Sequence, residues 1–261
     1  NADFVRSITV SFRNSLTKGV HANGRLSFEV SLAPGEAWHV CLTYSLADGD
    51  SEYAAPHECV FDSHKLQHAQ TLEDWLETVL KISASNDDFC RLYRQALEDM
   101  AALRLPIGNT GSDHMVFMPA AGLPWFVAPF GRDSLIVSLQ NILIYPGFAR
   151  GALEVLGSLQ ATEMDDYRDA EPGKIPHELR RGELAHFKLI PHTPYYGTAD
   201  ATPLYLITLH AAWRATGDRE FVEQKLEIAE RCLAWIDHYG DRDGDGFQEY
   251  QTRSPVGYEN M

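Results

Sequence analysis

The sequence is poor in positive charge. Its 22 Lys and Arg stand against 37 Asp and Glu, a formal net charge of −15, and no basic cluster offsets that balance locally. Such a surface repels a phosphate backbone, so nucleic acid is not an expected partner. Long apolar runs are also missing: no stretch approaches the ~18 residues that span a bilayer, so no membrane partner is expected. Cysteine is scarce. Cys41, Cys59, Cys90 and Cys232 are widely spaced and form no Cys-x-x-Cys. That suits a reducing compartment or core packing better than a disulfide framework or a zinc site, and makes a cytoplasmic location the expectation. The chain opens at Asn1 with neither an initiator Met nor a signal peptide, which leaves a mature start and a fragment both open.

What is present describes a folded chain. Its 261 residues are 44% hydrophobic and 11% aromatic, enough to bury a sizeable core and too apolar for disorder. From about residue 5 to 46, "SITVSF", "RLSFEVSL" and "AWHVCLTYSL" alternate with period two between turn-rich segments, predicting antiparallel strands. In the third, Trp38, Val40, Leu42 and Tyr44 share one face and His39, Cys41 and Thr43 the other, as in a sheet packed on a second sheet. From about His64 the spacing turns helical. Asn86 is a candidate N-cap for a helix carrying Phe89, Leu92, Tyr93, Ala96, Leu97 and Met100 on one face. "SLIVSLQNILI" is stopped by Pro146, and "TPLYLITLHAAWRATG" has Thr202 as cap, Pro203 at its first helical position and Gly217 at its end. Asp218 caps a helix with an apolar stripe of Val222, Leu226, Ala229, Leu233 and Ile236.

Two connections, Arg104 to Arg132 and Asp165 to Asp200, exceed the ~12 residues usual in compact helical domains, which marks them as functional candidates. In "PWFVAPFGRDS", Trp125, Phe126 and Phe130 sit beside Arg132 and Asp133. A sugar ring has an apolar C–H face and a hydroxyl rim, so its site needs flat aromatic platforms beside charged hydrogen-bonding groups. Arg only donates and ionised Asp only accepts, whereas each hydroxyl does both. The competing reading has Asp133 capping a helix, Arg132 paired to it and the aromatics in the core. The second connection carries "GKIPHELRRGE" and "HTPYYGTADATP", with His177, Glu178, Arg180, Tyr195, Tyr196 and Asp200. "DRDGDGFQEY" supplies Asp241, Asp243, Asp245 and Glu249 in the first half of a D-x-D-x-D-G calcium loop. Its twelfth position is Thr252 instead of the bidentate Glu, which favours a turn-rich acidic loop over a structural calcium. No other cofactor is expected. His64 and His68 lack a carboxylate to complete a metal site, and "GNTGSD" lacks the phosphate-loop Lys.

Taken in order, "PWFVAPFGRDS", "GKIPHELRRGE", "YYGTADATPLYL" and "DRDGDGFQEYQ" resemble bacterial amylo-α-1,6-glucosidase-like proteins of the glycogen debranching type, relatives of the glucoamylase-like clan. The resemblance covers residue 86 to the end. It implies a mainly α chain: 1–60 as the C-terminal part of an antiparallel β-sandwich domain, 61–85 as a helical linker, and 86–261 as the N-terminal half of an (α/α)6 barrel. It also implies inverting hydrolysis of α-glucosidic (α-1,6 and/or α-1,4) bonds in a glycogen- or starch-type glucan or oligosaccharide. In that chemistry one carboxylic acid protonates the glycosidic oxygen while a second carboxylate, ~6.5–9.5 Å away, activates water. By the same resemblance Arg132 and Asp133 hold the terminal glucose, Trp125 and Phe126 stand beside them, and His177, Glu178, Arg180, Tyr196 and Asp200 line the mouth. The general acid and base are implied to lie beyond residue 261, so the chain is expected to hold half of a sugar pocket and to be inactive alone. A non-catalytic carbohydrate-binding protein and a calcium-binding helical protein are the alternatives, and the oligomeric state is left open.

Overall fold

A computed structural model describes residues 5–13, 17–49, 51–54, 67–107 and 116–252. Among them are strands β1 (Arg6–Arg13), β2 (Val20–Ala22), β3 (Arg25–Ser27), β4 (Cys41–Asp48) and β5 (Ser51–Ala54). Helices α1 (Gln67–Thr78) and α2 (Asp87–Ala102) follow, then β6 (Arg104–Pro106) and β7 (Phe117–Pro119). The remainder is α3 (Gly131–Gln140), α4 (Gly147–Ser158), the short α5 (Glu183–His186), α6 (Ala201–Thr216) and α7 (Arg219–Trp235), which runs into a π-helical turn at Ile236–Gly240. The described chain is thus mixed, helices plus small antiparallel sheets, instead of mainly α, and no (α/α)6 barrel is closed among the described residues. No described helix is long and apolar enough to cross a membrane. His64 and the "GNTGSD" segment lie outside the described residues.

The chain divides into two units, 1–71 and 72–261. In the first, β1, β4 and β5 form an antiparallel sheet in the order β1-β4-β5, and β2 and β3 form a hairpin. The register sets Ile8 against Leu46, Val10 against Tyr44 and Phe12 against Leu42, so six large apolar side chains share a face. That face is exposed, while Cys41, Thr43 and Ser45 on the other are half-buried. The period-two alternation therefore forms as expected without the apolar face being covered. "RLSFEVSL" is strand only over β3, after which Phe28 packs edge-on against Phe12 and at a tilt against Trp38. Cys41 is disulfide-bonded, in contrast to the expectation of unpaired cysteines; disulfides persist in oxidising surroundings. Cys90 and Cys232 carry free thiols.

In the second unit α3 packs on α4 and α6, and α6 on α7. Leu135, Leu153, Leu156 and Tyr205 are fully buried at their centre. Trp75 and Val79, at the end of α1 and just after it, pack with Leu97 and Phe148 in a second cluster, which makes this part of the expected linker a core element. Asn86 and Asp218 cap α2 and α7 as expected, accepting from the Phe89 and Phe221 amides at 2.9 and 3.0 Å, and Gly217 ends α6 at φ 68°. α3 stops at Gln140, before Pro146, where Asn141 donates back to the Val137 carbonyl. α6 begins two residues earlier than expected, at Ala201 with Asp200 in the N-cap position, so Pro203 is not its first helical residue. Thr202 instead accepts from the Ile175 amide at 2.9 Å, tying the helix to the 171–178 segment.

Two apolar stripes are rotated from their expected positions. On α2 Leu97 is buried with Tyr93 and Met100 beside it, while Phe89 and Leu92 are exposed. On α7 Phe221, Cys232 and Trp235 are buried, while Leu226 and Leu233 face outward. Phe148→Ala is expected to cost about 3–5 kcal/mol through the cavity it leaves. Leu226→Ala is expected to cost less than about 1 kcal/mol. Urea unfolding of the two variants measures the contrast, and comparable losses would contradict this placement of α7.

Candidate functional site

Three loop segments far apart in sequence are sewn together by backbone hydrogen bonds. The Gly131 amide donates to the His177 carbonyl at 2.7 Å and the Leu179 amide to the Pro129 carbonyl at 3.0 Å. On the other side, His177 donates to Tyr195 at 2.7 Å, Tyr195 to Glu178 at 2.9 Å and Arg180 to His192 at 2.7 Å. Residue 178 is thus the middle rung of a ribbon running from 130 through 178 to 195. Gly131 is required here, because a Cβ at that position would collide with the Pro176 carbonyl oxygen.

Glu178 lies at the centre of this ribbon, its side chain 4% exposed. One carboxylate oxygen accepts from Arg180 Nε at 2.8 Å, and the other is 2.9 Å from His192 Nδ1. Burial pushes the carboxyl up, but the hydrogen bond and charge of His192 and the Arg180 guanidinium outweigh it and hold the group at about 2. Glu178 is therefore a permanent anion, suited to anchoring and unsuited to giving up a proton near neutral pH. Arg180 extends the anchor outward: it donates to the Trp125 carbonyl at 2.7 Å and lies over the Phe130 ring at 5.0 Å. Phe126 packs edge-on against Phe130, and Trp125 is 77% exposed at the rim.

The remaining polar groups gather at the starts of α3 and α6. Arg132 pairs with Asp200 at 3.2 Å, and Thr198 donates its hydroxyl to the other Asp200 oxygen. Asp133 neither caps α3, whose N-cap Phe130 makes no side-chain bond, nor pairs with Arg132, and has no hydrogen-bond or ion-pair partner among the described residues. His177 is buried. Desolvation lowers its pKa, opposed by Glu178 and modulated by Arg132, Asp133 and Asp200, so the ring is neutral at neutral pH. Its Nδ1 is buried with no hydrogen-bond partner. An unpaired acceptor on Asp133, a neutral imidazole and the donors of Arg132 form a set that satisfies hydroxyls in both directions.

No protein-family model matches this chain, and no curated protein matches it. The site is therefore read from its own geometry.

The structure brings together Phe126, Arg132, Asp133, His177, Glu178, Arg180 and Asp200, with Trp125 at the edge. Tyr196 is placed elsewhere. It is buried in a small cluster with Ala161 and Ala170, its hydroxyl donating to the Leu159 carbonyl at 2.7 Å. In the acidic loop, ligand atoms of Asp241, Asp243 and Glu249 lie within 4.8 Å of one another, and Asp245 is not among them. Asp241 already accepts from the Gly244, Asp245 and Gly246 amides at 2.8, 3.1 and 2.9 Å, so the loop closes on its own backbone.

A second charged cluster was not legible in the sequence. Lys174, 5% exposed, stands 3.3 Å from Asp169 and 4.0 Å from Glu171. Glu171 also accepts from Trp235 Nε1 at 2.7 Å and from Arg242 at 3.1 Å. Burial lowers the Lys174 pKa against the pull of both carboxylates. The only local signal was a run of charges on both sides of Pro172 and Gly173. The fold that closes it depends on Gly173 at φ 92°, where a Cβ would meet the Arg231 carbonyl of α7.

Because the folded pKa of Glu178 lies below its ordinary value of 4.5, its contribution to stability is complete above about pH 4.5 and is lost as pH falls toward 2. The shift corresponds to about 3 kcal/mol. Glu178→Gln is expected to destabilise the protein by about that amount at pH 7, with the gap from wild type narrowing steadily below pH 4.5 in urea titrations. A gap independent of pH would refute the assignment. Gly131→Ala is expected to cost about 3 kcal/mol or more, since backbone must move to admit the methyl group, and thermal unfolding measures it.

Proposed function

We propose that this chain supplies the sugar-holding part of a glycoside hydrolase acting on α-glucosidic bonds, α-1,6 and/or α-1,4, of a glycogen- or starch-type glucan. The observation that carries the reading is the meeting of Arg132, Asp133, His177, Glu178 and Asp200, all within electrostatic reach of the His177 ring, beside the Phe126 and Phe130 rings. A pyranose needs that pairing of aromatic surface with clustered donors and acceptors. Glu178, held ionised by two partners, acts as the scaffold of the site, and Asp133 is the free acceptor for substrate hydroxyls. The partial (α/α)6 barrel belongs to this proposal. α3 and α6 begin at the site, and the outward Leu226 and Leu233, seven residues apart on α7, form a stripe that further helices of a barrel wall would bury.

In this reading the acid and base of an inverting mechanism come from outside the chain, so binding without turnover is expected. Isothermal titration with isomaltose and maltotriose is expected to show saturable binding, weakened at least tenfold by Asp133→Asn and by His177→Ala, with no sugar released. Absence of binding at millimolar sugar would overturn the proposal. Hydrolysis by the 261-residue chain would overturn its division of labour.

A further inference from the structure

The sheet of the first unit turns its faces against the usual rule. Pairing of β1 with β4 sets Ile8, Val10 and Phe12 beside Leu46, Tyr44 and Leu42 on one face. All six side chains are exposed, from 37% at Phe12 to 67% at Ile8. The opposite face of β4 carries Cys41, Thr43, Ser45 and Ala47 and is half-buried. With about 150–250 Å2 per large side chain and about half of it exposed, the six present roughly 600 Å2 of contiguous apolar surface. That is the upper end of the largest patch on a typical monomer, a size that marks an interaction surface. The patch is bounded at one end by the Arg6–Asp48 ion pair at 2.8 Å. At the other end Phe12 packs edge-on against Phe28, which leans on Trp38. Along β1 and β4, Arg6 and Asp48 are the only charged side chains on this face, and they cancel.

Charge decides which partner suits this face. The chain carries a formal net charge of −15, so two copies repel each other over most of their surface. They approach most easily where neither presents net charge, and the β1–β4 face meets that condition on both sides of the contact. The outward stripe of α7 does not. There Leu226 and Leu233 stand among the Arg219–Glu223 and Arg231–Glu227 ion pairs and Glu230, charges that a second copy would have to desolvate. Area agrees with the choice. A stable interface takes about 800 Å2 from each partner, and the six side chains supply roughly three-quarters of that. Exposed Val5 and the Arg6–Asp48 pair provide a rim.

We propose that the β1–β4 face is a self-association surface, on which a second copy of this chain packs sheet against sheet to form an isologous dimer. The two sheets face each other about 10 Å apart across a two-fold axis, as the halves of a β-sandwich do. Val10 and Tyr44, directly opposite in register, lie at the centre, and the ion pairs remain at the wet margin. The inference is independent of the carbohydrate reading.

The test is sedimentation equilibrium of the 261-residue chain from about 1 to about 100 μM, a range that covers micromolar dissociation constants. The expected result is a reversible monomer–dimer equilibrium that tightens as salt screens the net charge. Tyr44→Glu and Ile8→Glu each set like charges across the contact, and each is expected to raise the dissociation constant at least about tenfold. Both positions are exposed, so the circular dichroism of the variants matches that of the parent, and either variant alone suffices. Leu226→Glu is expected to leave the equilibrium unchanged. A chain that stays monomeric to about 100 μM would overturn the proposal and assign the face to a different polypeptide. Open-ended assembly in place of a discrete dimer, or a dimer weakened by salt, would also overturn it. So would a dimer lost in Leu226→Glu and kept in the two sheet variants.

Discussion

The second unit's loops depend on one buried carboxylate. An isolated anion at the position of Glu178 would be costly to desolvate, and it persists because Arg180 and His192 meet its two oxygens. Each partner comes from a different part of the ribbon. Through Arg180 the anion reaches the Trp125 carbonyl and the Phe130 ring. Through His192 it fixes the strand-like segment that carries Tyr195. Without this charge cluster the three segments would have only a few backbone bonds to hold them in register.

That anchoring explains why two polar groups beside it, Asp133 and His177 Nδ1, stay unsatisfied. Arg132, Asp133 and Asp200 sit at the starts of α3 and α6, with His177 on the ribbon beside them, and the bodies of these helices are locked into the core by Leu135, Tyr205 and Leu209. A rigid base lets Asp133 remain without a partner and leaves His177 Nδ1 buried and unpaired, costs that a ligand with hydroxyl groups would relieve. The Lys174 cluster follows the same logic on the other side of Tyr195. There Gly173 lets the chain pass against α7, and the charges meet Trp235 and Arg242 from a helix end and a loop more than sixty residues away in sequence.

Local chemistry was legible in the sequence wherever neighbours along the chain decide it. Asn86 and Asp218 cap their helices, Gly217 takes the left-handed conformation that ends α6, and β1 and β4 alternate as their period-two pattern requires. Phe126, Arg132, Asp133, His177, Glu178, Arg180 and Asp200 lie near one another, because the long connections between helices concentrated aromatic and charged residues in two segments. Legibility failed where rotation or partners matter. The α2 and α7 stripes were read from the commonest apolar spacing, yet Phe89, Leu92, Leu226 and Leu233 face outward; several adjacent stripes fit the same helix, and only the neighbouring elements choose among them. Tyr196 illustrates the same limit, since the ribbon that turns Tyr195 one way turns its successor into the Ala161–Ala170 cluster.

The sequence by itself determined the alternation of strands and helices, the caps, and the supply of charges and rings, because these follow from steric and hydrogen-bonding preferences within a few residues. The tertiary structure decided that Arg132 pairs with Asp200 instead of Asp133, that Glu178 is an anchor, and that Lys174, Glu171 and Arg242 share one cavity. Those outcomes rest on Coulombic and desolvation energies, which depend on through-space distance and burial. Neither quantity exists until the segments around 130, 178, 195 and 242 have been folded together.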